Sequence, residues 1–274
     1  MSNVLVTGAS TGIGHATARR MLAYGWEVFA CARKDEDLDR LRDEGFTPIK
    51  LDVSDSASIA AARDELDERG LKGLVNNAGI AVSGPMEFMP LDELRHQLEV
   101  NLVGQVAVTQ AFLPNIREAQ GRIVNVSSIG GKIALPLVGP YAASKFGLEA
   151  VSDSLRRELR PWGIHVAVIE PGAVVTPIWD RGRETADRLE AQMGEQARSR
   201  YGELAARIRA ETEKIPERGV DPDEVAKAIE HALTAPRPKV RYVVGRDAKM
   251  RLRIKALVGD RRFDALIART LNWR

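Results

Sequence analysis

Short apolar runs alternate with helix-patterned segments along most of this 274-residue chain. The runs predict buried strands at 4–7, 27–31, 48–51, 73–76, 122–127, 165–170 and 239–244. The intervening segments predict helices over 12–24, 36–44, 56–69, 91–117 and 141–160. Buried strands that alternate with helices form a parallel sheet covered on both faces, and right-handed crossovers wind it in two directions. The sequence therefore predicts an α/β fold with a single Rossmann-type, doubly wound sheet of about seven strands.

Two segments depart from this alternation. Residues 177–219 are charged and helix-prone, and they predict a substrate-loop insertion within a catalytic domain spanning 1–245. Residues 246–274 predict a basic, helical C-terminal extension, since the chain from Arg237 onward has 12 Lys+Arg against 3 Asp+Glu. A helix there aligns the apolar side chains of Phe263, Leu266, Ile267 and Leu271. We favour packing of this face on the substrate pocket or a neighbouring subunit over peripheral contact with an anionic membrane.

Composition limits the class of protein. The formal net charge of +2 gives no reason to expect a nucleic-acid partner, and we expect no metal site. The one cysteine, Cys31, allows no intrachain disulfide and fits a cytoplasmic location. The first residues run into an apolar strand without signal-peptide features, and no apolar run approaches the ~20 residues of a membrane span.

A glycine-rich turn joins the first predicted strand to the first predicted helix. Gly8, Gly12 and Gly14 allow a tight turn, close approach to a pyrophosphate and packing of helix on strand. The helix N-terminus offers N–H groups and positive partial charge to phosphates. The sequence therefore predicts a dinucleotide site that also includes the turn residues Ser10, Thr11 and Ile13.

The end of the second strand indicates which dinucleotide binds. Sites for NAD usually have an acidic residue here, but this chain has Ala32 followed by Arg33 and Lys34. A guanidinium can grip a 2′-phosphate that a carboxylate would repel. We therefore predict NADP(H). In the alternative, both charges are simply solvated and the cofactor is NAD(H).

Tyr141 and Lys145 stand four residues apart on a predicted helix and so share one face. A cation about 4 Å from a phenol, at an effective dielectric of ~20, favours the phenolate by roughly 4 kcal/mol. We therefore expect Lys145 to lower the pKa of Tyr141 towards the range of general acid–base catalysis.

Taken together, these motifs resemble the short-chain dehydrogenase/reductase family over about residues 3–245. The resemblance is carried by the glycine turn, Asp52, Asn76-Asn-Ala-Gly79, Asn101, Ser128, Tyr141, Lys145, Pro171-Gly172 and Thr176. Within the family, the second strand and the tract from Arg241 to Lys249 are most similar to the retinol and hydroxysteroid dehydrogenase branch.

The resemblance implies four catalytic residues. Tyr141 would exchange a proton with the substrate oxygen, while Lys145 would lower its pKa and bind the nicotinamide ribose. Ser128 would hold the substrate oxygen. The neighbouring Ser127 competes for this role, but the family's spacing selects Ser128. Asn101 would hold a water that links Lys145 to solvent, or its side chain stabilises a helix instead.

The resemblance also implies cofactor contacts beyond the glycine turn. Asp52 and Val53 would contact the adenine, and three residues after the fourth strand would line the adenosine: Asn77, Ala78 and Gly79. Four residues after the sixth strand would hold the nicotinamide carboxamide: Pro171, Gly172, Val174 and Thr176. The apolar candidates for the substrate pocket are Ile129, Ile133, Leu135, Leu137, Val138 and Trp179.

The resulting expectation is an NADP(H)-dependent oxidoreductase that interconverts a small hydrophobic ketone or aldehyde and its alcohol. An NAD(H)-dependent alcohol dehydrogenase of the same fold, a non-catalytic nucleotide-binding regulator, and a lyase or epimerase are the alternatives. The complete set Asn101, Ser128, Tyr141 and Lys145 disfavours the regulator, and the glycine spacing disfavours the lyase or epimerase. We expect a homodimer or homotetramer, since the two long helices form interfaces in many relatives.

Overall fold

The computed structural model describes residues 2–66 and 69–273. Its parallel sheet has the strand order β3-β2-β1-β4-β5-β6-β7. From β1 the chain adds strands on one side as far as β3 and then on the other side from β4 to β7, so the predicted doubly wound fold is confirmed. Each predicted strand is found within two residues of its expected bounds: β1 (Asn3–Val6), β2 (Glu27–Ala32), β3 (Thr47–Lys50), β4 (Gly73–Asn76), β5 (Arg122–Val126), β6 (His165–Pro171) and β7 (Arg241–Val244).

Helices cover both faces of the sheet. The helices of the repeating pattern are α1 (Gly12–Ala23), α2 (Asp35–Asp43), α3 (Ser56–Leu66), α4 (Leu91–Leu98), α5 (Gly104–Ala119), α6 (Gly139–Glu158) and α10 (Pro222–Thr234). Alternate strand residues enter two separate cores. Val4 and Val6 pack in the core that includes Met21 and Ile229, whereas Leu5 packs in the core that includes Phe112.

Two predicted helices differ from the structure. The single helix predicted over 91–117 is α4, a π-helical segment (Glu99–Val103) and α5. A π-helical turn is wider than an α-helical turn, and the spacing of apolar residues in the sequence does not reveal it. The helix predicted over 56–69 is described as α3, and its predicted residues Asp67 and Glu68 lie outside the described residues.

The inserted segment folds as α7 (Ile178–Gln192), α8 (Gly194–Glu213) and α9 (Ile215–Arg218). Leu189 of α7 is fully buried and packs with Val82 and Met89, which follow β4. Arg188 also donates a hydrogen bond to Glu93 over 2.8 Å. The insertion is therefore anchored to the segment between β4 and α4.

The C-terminal extension folds as α11 (Arg246–Val258) and α12 (Asp260–Thr270) and contacts its own chain. Lys255 Nζ donates to the Lys132 carbonyl over 2.5 Å, and Arg207 of α8 donates to the Leu271 carbonyl over 2.8 Å. Of the expected apolar face, Phe263 is buried and Leu266 is 39% exposed. Over the described part of the chain, no helix combines the length and apolar character that a membrane span requires.

Candidate active site

Ser128 and Tyr141 meet where β5 ends and α6 begins. Ser128 comes two residues after β5 and starts a short 3-10 turn (Ile129–Gly131), in which the Gly130 N–H donates to the Ser128 hydroxyl over 3.0 Å. Tyr141 is the third residue of α6, and the Ser128 hydroxyl lies close enough to the Tyr141 hydroxyl to lower its pKa. The two hydroxyls are thus held side by side at the C-terminal edge of the sheet, the edge at which ligands bind in such folds.

Ser127, the competing serine, lies on the other side of the strand's end. Its side chain is buried, and a Cβ added to Gly131 would lie 2.8 Å from the Ser127 hydroxyl and 3.1 Å from Glu149 Cγ. Successive residues of an extended chain point in opposite directions. Only Ser128 is therefore placed against Tyr141.

Lys145 is buried one helical turn after Tyr141. Its Nζ donates to the Val126 carbonyl over 2.8 Å and lies 5.8 Å from the centroid of the Tyr141 ring. Burial lowers the pKa of Lys145 to about 8, although the charge of Glu149 opposes this change.

The expectation that Lys145 outweighs burial and leaves Tyr141 with a lowered pKa is wrong for this structure. Burial raises the pKa of Tyr141, and the hydrogen bond with Ser128 offsets only part of that increase. Burial of the two side chains disfavours both the phenolate of Tyr141 and the ammonium of Lys145. The Lys145 ammonium donates its hydrogen bond to the Val126 carbonyl.

Asn101 lies fully buried in the π-helical segment. Its side chain accepts from the Ile80 N–H over 2.9 Å and donates to the Ile80 carbonyl over 3.0 Å. It also donates to the Ser144 hydroxyl over 3.2 Å. The amide thus pins the segment after β4 to α6 beside Lys145. Within the described residues, its side chain makes no hydrogen bond to Lys145 itself.

The glycine turn has the geometry that the sequence requires. Gly8 and Gly12 have φ of 64° and 58°, in the left-handed region. A Cβ on Gly14 would lie 2.3 Å from the Gly8 carbonyl oxygen. The turn residues Ser10, Thr11 and Ile13 are partly exposed around the start of α1, and Thr11 precedes that helix with no side-chain cap. These positions leave the turn open to a ligand.

Thr7 organises this turn, and sequence reasoning assigned it no role. Its hydroxyl accepts from the N–H groups of Asn77 and Ala78 over 2.9 and 3.0 Å. The Asn77 amide donates back to the Thr7 carbonyl over 2.9 Å. The predicted adenosine-lining residues are therefore tied to the glycine turn. Gly79 is packed against Asn101, since an added Cβ would lie 3.2 Å from the Asn101 Oδ1.

The residues predicted near the adenine and its ribose meet at the ends of β2 and β3. Ala32 is buried, whereas Arg33 and Lys34 are exposed. Arg33 Nη1 lies 3.7 Å from Asp52 Oδ2. Partial burial raises the pKa of Asp52, but hydrogen bonds from Ser54 and the charge of Arg33 outweigh it and lower the pKa below its usual value. The Asp52 carboxylate thus holds the Arg33 guanidinium at the site.

Two further features border this end of the site. Val53 is buried in the core beneath the predicted adenine position. Arg40 of α2 donates to the Ser10 carbonyl over 2.8 Å, a contact between residues 30 positions apart. The sequence alone did not identify Arg40. Its only signal in the sequence is that it is basic and lies on the helix that follows Arg33.

The segment after β6 closes against the glycine turn. A Cβ on Gly12 would lie 3.0 Å from Thr176 Cγ2. Pro171 ends β6, and Val174 is buried and pairs with Val220 in an isolated parallel bridge. Gly172 lies against the carboxylate of Asp247, which sequence reasoning did not associate with the site. The predicted nicotinamide-binding residues are thus brought within reach of the glycine turn.

The predicted pocket residues divide into core and surface. Ile133 is buried in the core at 5% exposure, whereas the other five are partly exposed. Leu137 has φ of 63°, an unfavourable conformation for leucine, and its carbonyl accepts from the Gly84 N–H over 2.7 Å. Of the predicted pocket residues, Trp179 lines a pocket of about 250 Å³ that Thr176 and Ile215 also line.

These residues fit a dinucleotide. The glycine turn leads into the N-terminus of α1, whose first turn contains no acidic residue to repel a phosphate. The open ends of β2 and β3 present Arg33 and Lys34 to solvent at the other end of the same edge. Gly8, Ser10, Thr11 and Gly12 would hold the phosphates, and Thr176 would face the nicotinamide end.

Comparisons with known proteins agree with this geometry. The family profile described as "short chain dehydrogenase" matches residues 2–187. Retinol dehydrogenase 16 of Mus musculus is 39% identical over 259 residues, which are 90% of this chain and 81% of the mouse protein. The NADPH-dependent 3-dehydrocapnine reductase of Ornithobacterium rhinotracheale is 35% identical over 287 residues, covering 99% of this chain and 98% of the reductase.

A solved structure is similar over nearly the whole chain. The crystal structure of a short-chain dehydrogenase from Streptomyces avermitilis superposes with a TM-score of 0.78 at 31% identity, covering 99% of this chain and 95% of that one. The fold, the motifs and these relatives lead to one conclusion. The chain belongs to the short-chain dehydrogenase family of oxidoreductases, in the branch that includes the retinol dehydrogenases.

Proposed function

We propose that this protein is an NADP(H)-dependent oxidoreductase that interconverts a small hydrophobic ketone or aldehyde and its alcohol, with Tyr141 as general acid and base. The observation that carries the proposal is the pair of neighbouring Ser128 and Tyr141 hydroxyls beside the buried Lys145. A relative 35% identical over 99% of this chain is named as an NADPH-dependent reductase, which supports both the direction and the cofactor.

Each residue then has a physical role. Bound NADPH supplies the hydride in the reductive direction. Ser128 donates a hydrogen bond to the carbonyl oxygen and places it beside Tyr141, which gives that oxygen its phenolic proton as negative charge develops there. The charged Lys145 stabilises the tyrosinate that remains. Because burial raises the pKa of Tyr141, the phenol is protonated and ready to donate at neutral pH.

Arg33 tests the cofactor assignment. Arg33→Ala should lower the ratio of kcat/KM for NADPH to that for NADH by about 10- to 100-fold, because a charge-assisted hydrogen bond to the 2′-phosphate contributes about 1.5–3 kcal/mol. Steady-state kinetics with both cofactors measures this ratio. Arg42→Ala removes another exposed arginine nearby and should leave the ratio unchanged. A wild-type preference for NADH would overturn the NADP(H) assignment.

The substrate class is proposed from the apolar, partly exposed side chains near Tyr141, among them Ile129, Leu135 and Val138. A panel of ketones, aldehydes, steroids and retinoids, followed by NADPH absorbance, identifies it. We expect kcat/KM to rise with the apolar area of the carbonyl compound. Faster turnover of small charged carbonyl compounds than of apolar ones would contradict this proposal.

We further propose a cytoplasmic homodimer or homotetramer with no nucleic-acid partner. Apolar side chains on the outer faces of α4 and α6 support self-association, since Leu91 is 62% exposed and Phe146 is 41% exposed. Light scattering at micromolar concentration should give a dimeric or tetrameric mass that Phe146→Glu lowers. A monomeric wild-type protein would refute this assembly.

A further inference from the structure

Two buried carboxyl groups lie directly behind the catalytic lysine. Glu149 is one helical turn after Lys145 on α6, and Glu170 is near the end of β6. Glu149 is 4% exposed and Glu170 is 2% exposed. Acidic side chains are almost never fully buried unless something compensates their charge. Neither residue has a role in the reaction as described so far.

Two cations from different elements compensate part of this charge. Lys132 Nζ, from the turn after Ser128, lies 2.8 Å from Glu149 Oε2 and 3.8 Å from Glu170 Oε1. Arg241 Nε, from β7, lies 3.1 Å from both of these oxygens. The two carboxyl groups are thus drawn together beneath the turn that carries the catalytic serine.

The remaining charges around the pair are also paired. Arg241 Nη2 donates to Asp153 over 2.9 Å, and Arg156 donates to the same oxygen over 3.1 Å. From α11, Lys255 Nζ donates to the Lys132 carbonyl and lies 5.9 Å from the centroid of the Phe146 ring. The charged groups facing the pair are therefore Lys132, Arg241 and Lys145, with Asp153 beyond Arg241.

Oxygen atoms of the pair lack a hydrogen-bond donor. Among the described residues, Glu149 Oε1 and Glu170 Oε1 are buried and accept no hydrogen bond. One proton shared between the two carboxyl groups would remove the repulsion of two like charges. Burial, together with the charge of Glu149, raises the pKa of Glu170 to about 7. Such a proton would be held in the physiological range.

We propose that Glu149 and Glu170 share one proton and that this pair keeps Lys145 in its charged form, which makes Glu149 a positioning residue for the Tyr141–Lys145 couple. The inference rests on the proposed function, because it concerns the same lysine. Burial lowers the pKa of Lys145 to about 8, and the charge of Glu149 raises it. As the pH rises through 7, the Glu149–Glu170 pair loses its proton and becomes more negative. This happens just below the pH at which Lys145 would lose its own proton.

The pH dependence of kcat/KM tests the effect on the lysine. Glu149→Gln and Glu170→Gln each make the pair less negative, so Lys145 deprotonates more readily. The alkaline limb of the kcat/KM profile should therefore move to lower pH by about one unit. Glu158→Gln removes an exposed carboxylate from the same helix and should leave the profile in place. Glu149→Gln and Glu170→Gln profiles that coincide with wild type would overturn the positioning role.

Infrared spectroscopy tests the shared proton without turnover. Wild type should show a protonated-carboxyl band that disappears as pH rises through about 7 and is missing in Glu170→Gln. Lys132→Met changes a partly exposed side chain and removes one cation, so the band should persist to higher pH. A wild-type band that is absent at pH 6 would overturn the shared proton. If no carbonyl compound is turned over, the proposed function fails, while this spectrum still decides the state of the pair.

Discussion

Replacing Tyr141 by phenylalanine should lower kcat about 1,000-fold while the affinity for NADPH stays within about threefold, because general acid–base catalysis contributes about 10²–10⁴-fold. The hydroxyl is the only group removed, and it is the one placed beside the Ser128 hydroxyl. The ring remains to fill its place at the start of α6. Carbonyl-dependent NADPH oxidation measures kcat, and cofactor fluorescence measures affinity.

Tyr24→Phe is the matched control, since Tyr24 is 54% exposed and follows α1 away from the proposed reacting atoms. It should retain wild-type kcat. A Tyr141→Phe protein with more than about a tenth of wild-type activity would exclude Tyr141 as the general acid. Unchanged activity in both variants would point to another proton donor at the end of β5.

Replacing Gly14 by alanine should cost about 3 kcal/mol in the free energy of unfolding and weaken NADPH binding at least about tenfold. The added Cβ would lie 2.3 Å from the Gly8 carbonyl oxygen and 2.4 Å from Asn77 Nδ2. Those two atoms are themselves hydrogen-bonded over 3.2 Å. The methyl group therefore separates the glycine turn from the segment after β4, and the turn can no longer hold its shape around the phosphates.

Urea unfolding gives the stability and fluorescence titration gives the dissociation constant. Gly202→Ala is the control, because no atom lies within 4 Å of a Cβ added there on α8. This control should be neutral or slightly stabilising, by up to about 1 kcal/mol, since alanine is the better helix former. Equal NADPH affinity in Gly14→Ala and wild type would show that the turn does not bind the phosphates.

The central strands were predictable because a short apolar run indicates a buried strand, as in β1 and β4, whose residues are all buried. The role of Gly8 and Gly12 in the turn was predictable because their φ angles of 64° and 58° are unfavourable for most other residues. The break at Glu99–Val103 was not predictable, since the π-helical turn directs Asn101 towards Ile80 and Ser144, which are 21 and 43 residues away.

The sequence alone determined the parallel fold, the glycine turn and the Tyr141–Lys145 spacing, because periodicity and steric demands act between near neighbours. Only the tertiary structure decided how those groups ionise. It raises the pKa of Tyr141 by burial, directs Lys145 to Val126, and places Glu170 against Glu149. Burial and charge pairing sum over residues far apart in the chain, so the state of the catalytic couple is set by the packing of β5, β6, β7 and α6 together.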